Sequence, residues 1–196
     1  DFADLHTFSK HDPLGELPPW ENTKEYMKRL VGTLRDAFSG RILWILGNHE
    51  ARLPRWTQGK WSLPELASVI DATDRGVEVA VTPKVFVETP RGKWMVVHPR
   101  SFSVIPGSVA RDFAAKHHCH VICAHLHGVS YSRDRSGLFE CYDIGGLFDP
   151  GLLDYPNLML QGWTAGLGRR QPLRVWGPGP RGELPPVFEV PGRPRV

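Results

Sequence analysis

Three apolar runs in this chain end on side chains that bind metals and move protons. Ile42-Leu43-Trp44-Ile45-Leu46 stops at Gly47-Asn48-His49-Glu50, and Trp94-Met95-Val96-Val97 stops at His98. Val121-Ile122-Cys123 leads through Ala124 to His125-Leu126-His127. One imidazole after a strand is ordinarily a hydrogen-bonded structural residue. Three strand ends carrying imidazoles, one of them as His-x-His, are hard to obtain from packing alone. Open α/β sheets gather ligands outside the carboxyl ends of their strands, so one shared edge is the arrangement these runs suggest. On extended backbone His125 and His127 point to the same side and reach neighbouring metal positions. Imidazole, carboxylate and amide oxygen together suit borderline or hard divalent cations. A carboxylate between two such cations bridges them, and pairs about 3.5–4 Å apart clamp a phosphoryl group. The opening stretch DFADLHTFSKHDP supplies the carboxylates, Asp1 with Asp4 behind it.

The elements that must position these groups alternate. TKEYMKRLVGTLRDAF has apolar residues at Tyr26, Met27, Leu30, Val31, Leu34 and Phe38, a helical rhythm that follows Pro18-Pro19 and stops at Ser39-Gly40. A strand over 41–46 comes next. A short helix over 63–72 is opened by Ser62, with Pro64 in its first turn and Glu65 at the capping-box spacing. VEVAVT is a strand, and Val85-Phe86-Val87 and Trp94-Met95-Val96-Val97 flank Pro90-Arg91-Gly92 as a hairpin. A helix over 107–118 precedes the strand that ends in histidines, and a second hairpin turns at Arg135-Ser136-Gly137. Helices alternating with apolar strands, plus hairpins, indicate a mixed α/β sheet or two packed sheets covered by helices. After Gly162 the chain turns Pro/Gly/Arg-rich, a tail with room for one or two short edge strands but no core of its own.

Composition narrows the class. The 196 residues, 41% hydrophobic and 23% charged, suit one domain, or one domain with a tail, and a substantial core. No apolar run approaches the roughly 20 residues that cross a bilayer, so no membrane span is expected. A net charge of +3 is too small to argue for nucleic acid by itself. Cys119, Cys123 and Cys141 form no C-x-x-C pair, and with no signal peptide visible they point to a reducing, cytoplasmic setting. Cys119 and Cys123 beside His118, His120 and His125 invite a zinc-finger reading, which lacks a second cysteine pair at finger spacing. The chain opens on Asp1 rather than Met, so further residues are expected upstream.

The order Asp, Gly-Asn-His-Glu, His, His-x-His resembles the calcineurin-like metallophosphoesterases. Their pattern runs Asp-x-His, Gly-Asp-x-x-Asp, Gly-Asn-His-Asp/Glu, His, then Gly-His-x-His. GNHE at 47–50 matches fully, and AHLH at 124–127 matches except for Ala124. Val96-Val97-His98-Pro99 supplies the lone histidine, and DFAD at 1–4 is similar to the second motif without its glycine. DFADLHTFSKHD, then a helix, then GNHEARL is most like phage and bacterial members. The resemblance covers roughly residues 1–165 and implies an α/β fold, a β-sandwich flanked by helices. The domain is then 1–168, with a tail at 169–196. Taking Asp4-Leu5-His6 as Asp-x-His would demand a Gly-Asp motif between it and Asn48, and none is there. The family's first motif is therefore absent from this chain, and with it the first strand.

Residue by residue, the resemblance implies that Asp1 bridges two divalent cations (Mn, Zn, Fe or Ni). Asn48, His98 and His125 complete one site, and His127 serves the other, which the missing motif leaves incomplete. His49 is the acid or electrostatic partner of the leaving oxygen. Arg52 and His6 are the candidate phosphate contacts, with Arg55 and His11 beside them. Each of these four is also readable as a solvated or supporting side chain. His117, His118 and His120 read as structural or exposed, and Trp44 and Trp94 as core. The implied function is hydrolysis of a phosphomonoester or phosphodiester by a metal-activated water. The rivals are a DNA or RNA nuclease of the same family, and a non-catalytic fold-alike that binds a partner. Tail arginines such as Arg169 and Arg170 would then track a nucleic-acid backbone, although regularly interleaved aromatics are missing there. Oligomeric state is not legible.

Overall fold

The computed structural model describes residues 2, 3, 5, 8, 18–125, 127, 129–145, 163–165, 174–176 and 188–189. Two compact units divide the chain, Asp1–Lys84 and Val85–Val196.

In the first unit, helix α1 (Trp20–Ala37) starts directly after Pro19, whose ring presets the entry to a helix. Its Met27 and Val31 face the core. Strand β1 (Ile42–Ile45) leads into the short helix α2 (Arg52–Trp56), and helix α3 (Leu63–Val69) follows. At α3 the expected capping box is present: Ser62 and Glu65 bond reciprocally, with the Ser62 N–H donating to Glu65 Oε2 at 2.8 Å. Strand β2 (Val77–Ala80) pairs parallel with β1, from Ile42 opposite Val77 to Ile45 opposite Ala80. Trp44, Leu53, Leu63, Leu66, Ile70 and Val77 form one buried cluster with Met27, Val31, Ala3 and Leu5. Phe2 sets its ring edge-on to Trp44, centroids 5.0 Å apart.

The second unit is built on a five-stranded sheet. Strands β3 (Lys84–Thr89) and β4 (Gly92–Val97) are neighbours joined by the Pro90-Arg91 turn, where Gly92 takes φ 111°. Helix α4 (Ser108–His117) crosses from β4 to β5 (His120–Cys123), as a parallel pair requires. Strands β6 (Val129–Arg133) and β7 (Glu140–Ile144) form the second hairpin, and β7 lies parallel to β5. The sheet order is β3-β4-β5-β7-β6. Period-two alternation sends Met95, Val97, Val121, Cys123 and Cys141 to one face, where they pack with Val109, Ala110 and Ala114 of α4. Trp94, Ile122 and Tyr142 cluster on the other. The remaining strands, β8 (Trp163–Ala165), β9 (Arg174–Trp176) and β10 (Phe188–Glu189), pair antiparallel in the order β10-β9-β8.

The α/β class expected from the sequence is borne out, with helices packed on parallel-stranded sheet. Trp44 and Trp94 are core residues, 7% and 0% exposed.

Candidate metal and phosphate site

At the carboxyl end of β1, the N–H of Leu46 still reaches the carbonyl of Ala80 at 3.1 Å. The chain then bends at Gly47, and α2 starts five residues later. The N–H of Ala51 donates to the carbonyl of Gly47 at 3.2 Å, and that of Arg52 to the carbonyl of His49 at 3.0 Å. Glu50 holds this bend. Its Oε2 accepts the N–H of Gly47 at 2.9 Å, and its Oε1 accepts those of Phe2 and Ala3 at 2.6 and 2.8 Å. The side chain is 1% exposed. Asn48, His49 and Arg52 stay half-buried on the bend and the first turn of α2, while Leu53 anchors that helix in the core. The Gly-Asn-His-Glu run thus has a division of labour. Glycine and glutamate make the turn, and the amide and imidazole are carried on it.

In the second unit, register aligns the strand ends. Val97 lies opposite Cys123, and Cys123 opposite Asp143. The ladder extends one step further, the N–H of Ala124 donating to the carbonyl of Val97 at 3.1 Å. His98 and His125 therefore leave adjacent parallel strands at the same edge. Their Nε2 and Nδ1 atoms meet at 3.2 Å, with ring centroids 4.9 Å apart and planes at 58°. His98 is only 4% exposed.

This pair passes the test of fit to a divalent cation. Zinc–imidazole bonds of about 2.0–2.1 Å put two nitrogens of one coordination sphere about 2.9–3.4 Å apart, between octahedral and tetrahedral angles. Without a cation the same spacing suits an N–H···N hydrogen bond between the rings. Among the described residues, no group of three or more His, Cys, Asp and Glu side chains is placed to hold a metal ion. Two nitrogens do not complete a coordination sphere; of the other candidate ligands, Asp1 lies outside the described residues and Asn48 belongs to the first unit.

The structure removes the stated reason for pairing His125 with His127. Their φ angles are 85° and 56°, in the left-handed region, so the segment is not extended and period-two alternation does not apply. Non-glycine residues held there cost on the order of 1–3 kcal/mol each and cluster at ligand sites.

Of the other candidates, Asp4, His6, His11 and tail arginines such as Arg169 and Arg170 also lie outside the described residues. His120 is structural: its ring stacks on Trp94 at 4.6 Å, and Nδ1 accepts the N–H of Glu140 at 2.9 Å. His117 stacks on Phe113, and exposed His118 ends α4 in the left-handed region. The cysteines pack in the sheet; burial pushes the Cys119 and Cys123 thiols up and that of Cys141 to about 12, which opposes thiolate ligation. Two residues escaped the sequence reading. Glu50 is one, and its only sequence signal was a carboxylate closing the turn motif. The other is buried Asp143, whose Oδ2 accepts the N–H of Gly107 at 2.6 Å and the Ser130 hydroxyl at 3.0 Å, seating the start of α4.

No family model matches this chain, and no curated protein matches it. Among solved structures the chain is similar to a single mutant of Vps29 from Entamoeba histolytica. The two share 12% identity over 92% of this chain and 95% of that one, with a TM-score of 0.44. So distant a likeness decides nothing about residues or activity. No helix among the described residues is long and apolar enough to cross a membrane.

Proposed function

We propose that the chain is a divalent-metal-dependent phosphoesterase acting on a phosphomonoester or phosphodiester. The observation that carries this reading is the His98–His125 pair, two imidazole nitrogens 3.2 Å apart where parallel strands end. The motif resemblance adds the other roles: Asn48 and Asp1 as further ligands of the first cation, and His127 as a ligand of a second. A bound divalent cation supplies Lewis acidity toward the phosphoryl oxygens and a lowered pKa for water. The protein's own groups do the rest. His49, on a bend fixed by Glu50, holds a proton for the departing alcohol oxygen. Arg52, one residue into α2, offers a guanidinium fork to the non-bridging oxygens. Glu50 keeps both at a constant angle by tying the bend to the backbone of residues 2 and 3.

Kinetics of bis-p-nitrophenyl phosphate hydrolysis, run with metal content on the same samples, separate these roles. His49→Ala is expected to keep its metal and lose turnover, by up to the roughly 10²–10⁴-fold that general acid help supplies and least for good leaving groups. His98→Ala is expected to lose metal and turnover together. If the two variants behave alike, the division of roles is wrong.

A fold-alike that binds a partner without catalysis is the rival reading. Absence of metal-stimulated turnover on any phosphoester, in a folded protein, selects it.

A further inference from the structure

Directly after the Gly-Asn-His-Glu bend, the chain exposes two indoles that the proposed chemistry does not use. Trp56 is 66% exposed and Trp61 is 38% exposed, although tryptophan is the side chain with the most to gain from burial. They stand in the stretch RLPRWTQGKWS, which carries Arg52, Arg55 and Lys60; from Ala51 to Pro64 there is no acidic residue. A whole chain of net charge +3 thus has three positive charges and no negative one in this short span. Arg55, Trp56, Lys60 and Trp61 are all exposed, whereas the stretch's aliphatic residues Leu53 and Leu63 are buried.

The display is built rather than loose. The N–H and hydroxyl of Thr57 both donate to the carbonyl of Leu53 at 2.9 Å, and the N–H of Gly59 donates to the carbonyl of Pro54 at 2.7 Å. The N–H of Trp61 donates to the Thr57 hydroxyl at 3.1 Å. Gln58 and Gly59 take the left-handed φ values, 52° and 80°, that close the loop. One side of Trp56 is supported by the ring of Phe8, centroids 5.1 Å apart. Protein-binding hot spots are likewise rich in Trp and Arg, so what sets this stretch apart is Lys60, a residue type depleted at protein interfaces, together with the lack of any acid from 51 to 64. The loop after His98, which exposes Phe102, Val104 and Ile105, mixes aromatic with aliphatic side chains, and nothing shows what covers it. Indoles interleaved with cations, without exposed aliphatics or acids, have a different partner chemistry: flat π-faces for bases and positive charges for the phosphates between them.

We propose that residues 52–61 bind single-stranded nucleic acid, Trp56 and Trp61 stacking on bases while Arg55 and Lys60 pair with backbone phosphates. Duplex is disfavoured because its bases are already stacked on each other. At the helical rise of about 1.5 Å per residue, His49 and Trp56 are on the order of 10 Å apart along the chain, a span of a few nucleotides. The inference names the substrate class of the proposed phosphoesterase and rests on that reading for the cleavage step alone. Binding itself needs no metal ion.

The test is fluorescence anisotropy of a labelled oligothymidine with the full chain in EDTA, at two salt concentrations, beside duplex DNA of equal length. Wild type is expected to bind the single strand more tightly than the duplex. Trp56→Ala and Trp61→Ala are each expected to weaken binding by about 5- to 100-fold, with Trp56→Phe and Trp61→Phe recovering much of it. Lys60→Ala is expected to lower the slope of log affinity against log salt by about 0.7. Lys60 and Trp61 are exposed loop residues, so their variants keep the inference testable if Trp56→Ala does not fold. No binding by wild type, a preference for duplex, or alanine variants that bind as wild type would overturn it. Metal-stimulated turnover of p-nitrophenyl phosphate and bis-p-nitrophenyl phosphate is measured separately: absence of both defeats the phosphoesterase reading and leaves the binding result standing.

Discussion

Both carboxylate oxygens of Glu50 are engaged with backbone, across 47 and 48 positions of sequence to Ala3 and Phe2 and across three to Gly47. Glu50→Ala leaves the N–H groups of Ala3 and Gly47 buried without that acceptor. Each buried donor without a partner costs about 1–3 kcal/mol, so a loss of about 3 kcal/mol is expected in urea unfolding; a loss below about 1 kcal/mol would mean that the bend holds itself. His120 gives a prediction with a pH sign. Burial first, and then nearby Arg91 and Arg133, lower its pKa below 6.5 against the opposing pull of Glu140. In the fold Nδ1 accepts the Glu140 N–H, so protonation there breaks a bond that the unfolded chain does not have. The unfolded state binds the proton first as pH falls, so this stabilisation is present above about pH 6.5 and fades below it. His120→Asn, which keeps an acceptor near Nδ1, is expected to flatten the fall in thermal midpoint over that window. An unchanged slope would place the acid sensitivity elsewhere. Candidate ligands such as His98 and His125 were legible because an imidazole ending an apolar run is a local pattern. The role of Glu50 was not, because its partners are far away in sequence.

Helix α3 and the two hairpins follow from local chemistry, and the sequence showed them: a serine three residues before a glutamate, and a glycine in each turn. Helix α2 was not legible, since five residues containing Pro54 carry no periodicity. The backbone of His125 and His127 was misjudged for a related reason. The apolar run implied that the strand continued, but it ends at Cys123 and both histidines turn left-handed. The start of α4 depends on Asp143, again from a distant element. Burial raises the Asp143 pKa, which means that the ionised form is the costly one there. Asp143→Asn keeps an acceptor for the Gly107 N–H and removes the charge, so its stability is expected to stay within about 1 kcal/mol of wild type. Asp143→Leu removes the acceptor as well and is expected to cost about 2–3 kcal/mol. Chemical denaturation of the two variants measures the difference, and equal losses would refute this account of the helix start.

Across the whole chain, a tail beginning at 169, with room for one or two short edge strands, was the expected organisation. The described residues place β9 within those positions, paired with β8 in strands of three residues each. The candidate site was legible as a list of residue types and their order, whereas the approach of His98 to His125 depends on the parallel register of β4 and β5. The most direct test of the central claim is the metal content of wild type, His98→Ala and His125→Ala after equilibrium dialysis against Mn²⁺ or Zn²⁺. Metal affinity follows the ligands available, so wild type is predicted to hold one ion firmly and a second weakly, and each variant to lose the firm one while keeping its far-ultraviolet circular dichroism. Wild type without bound metal, or variants that hold it as wild type does, would contradict the account.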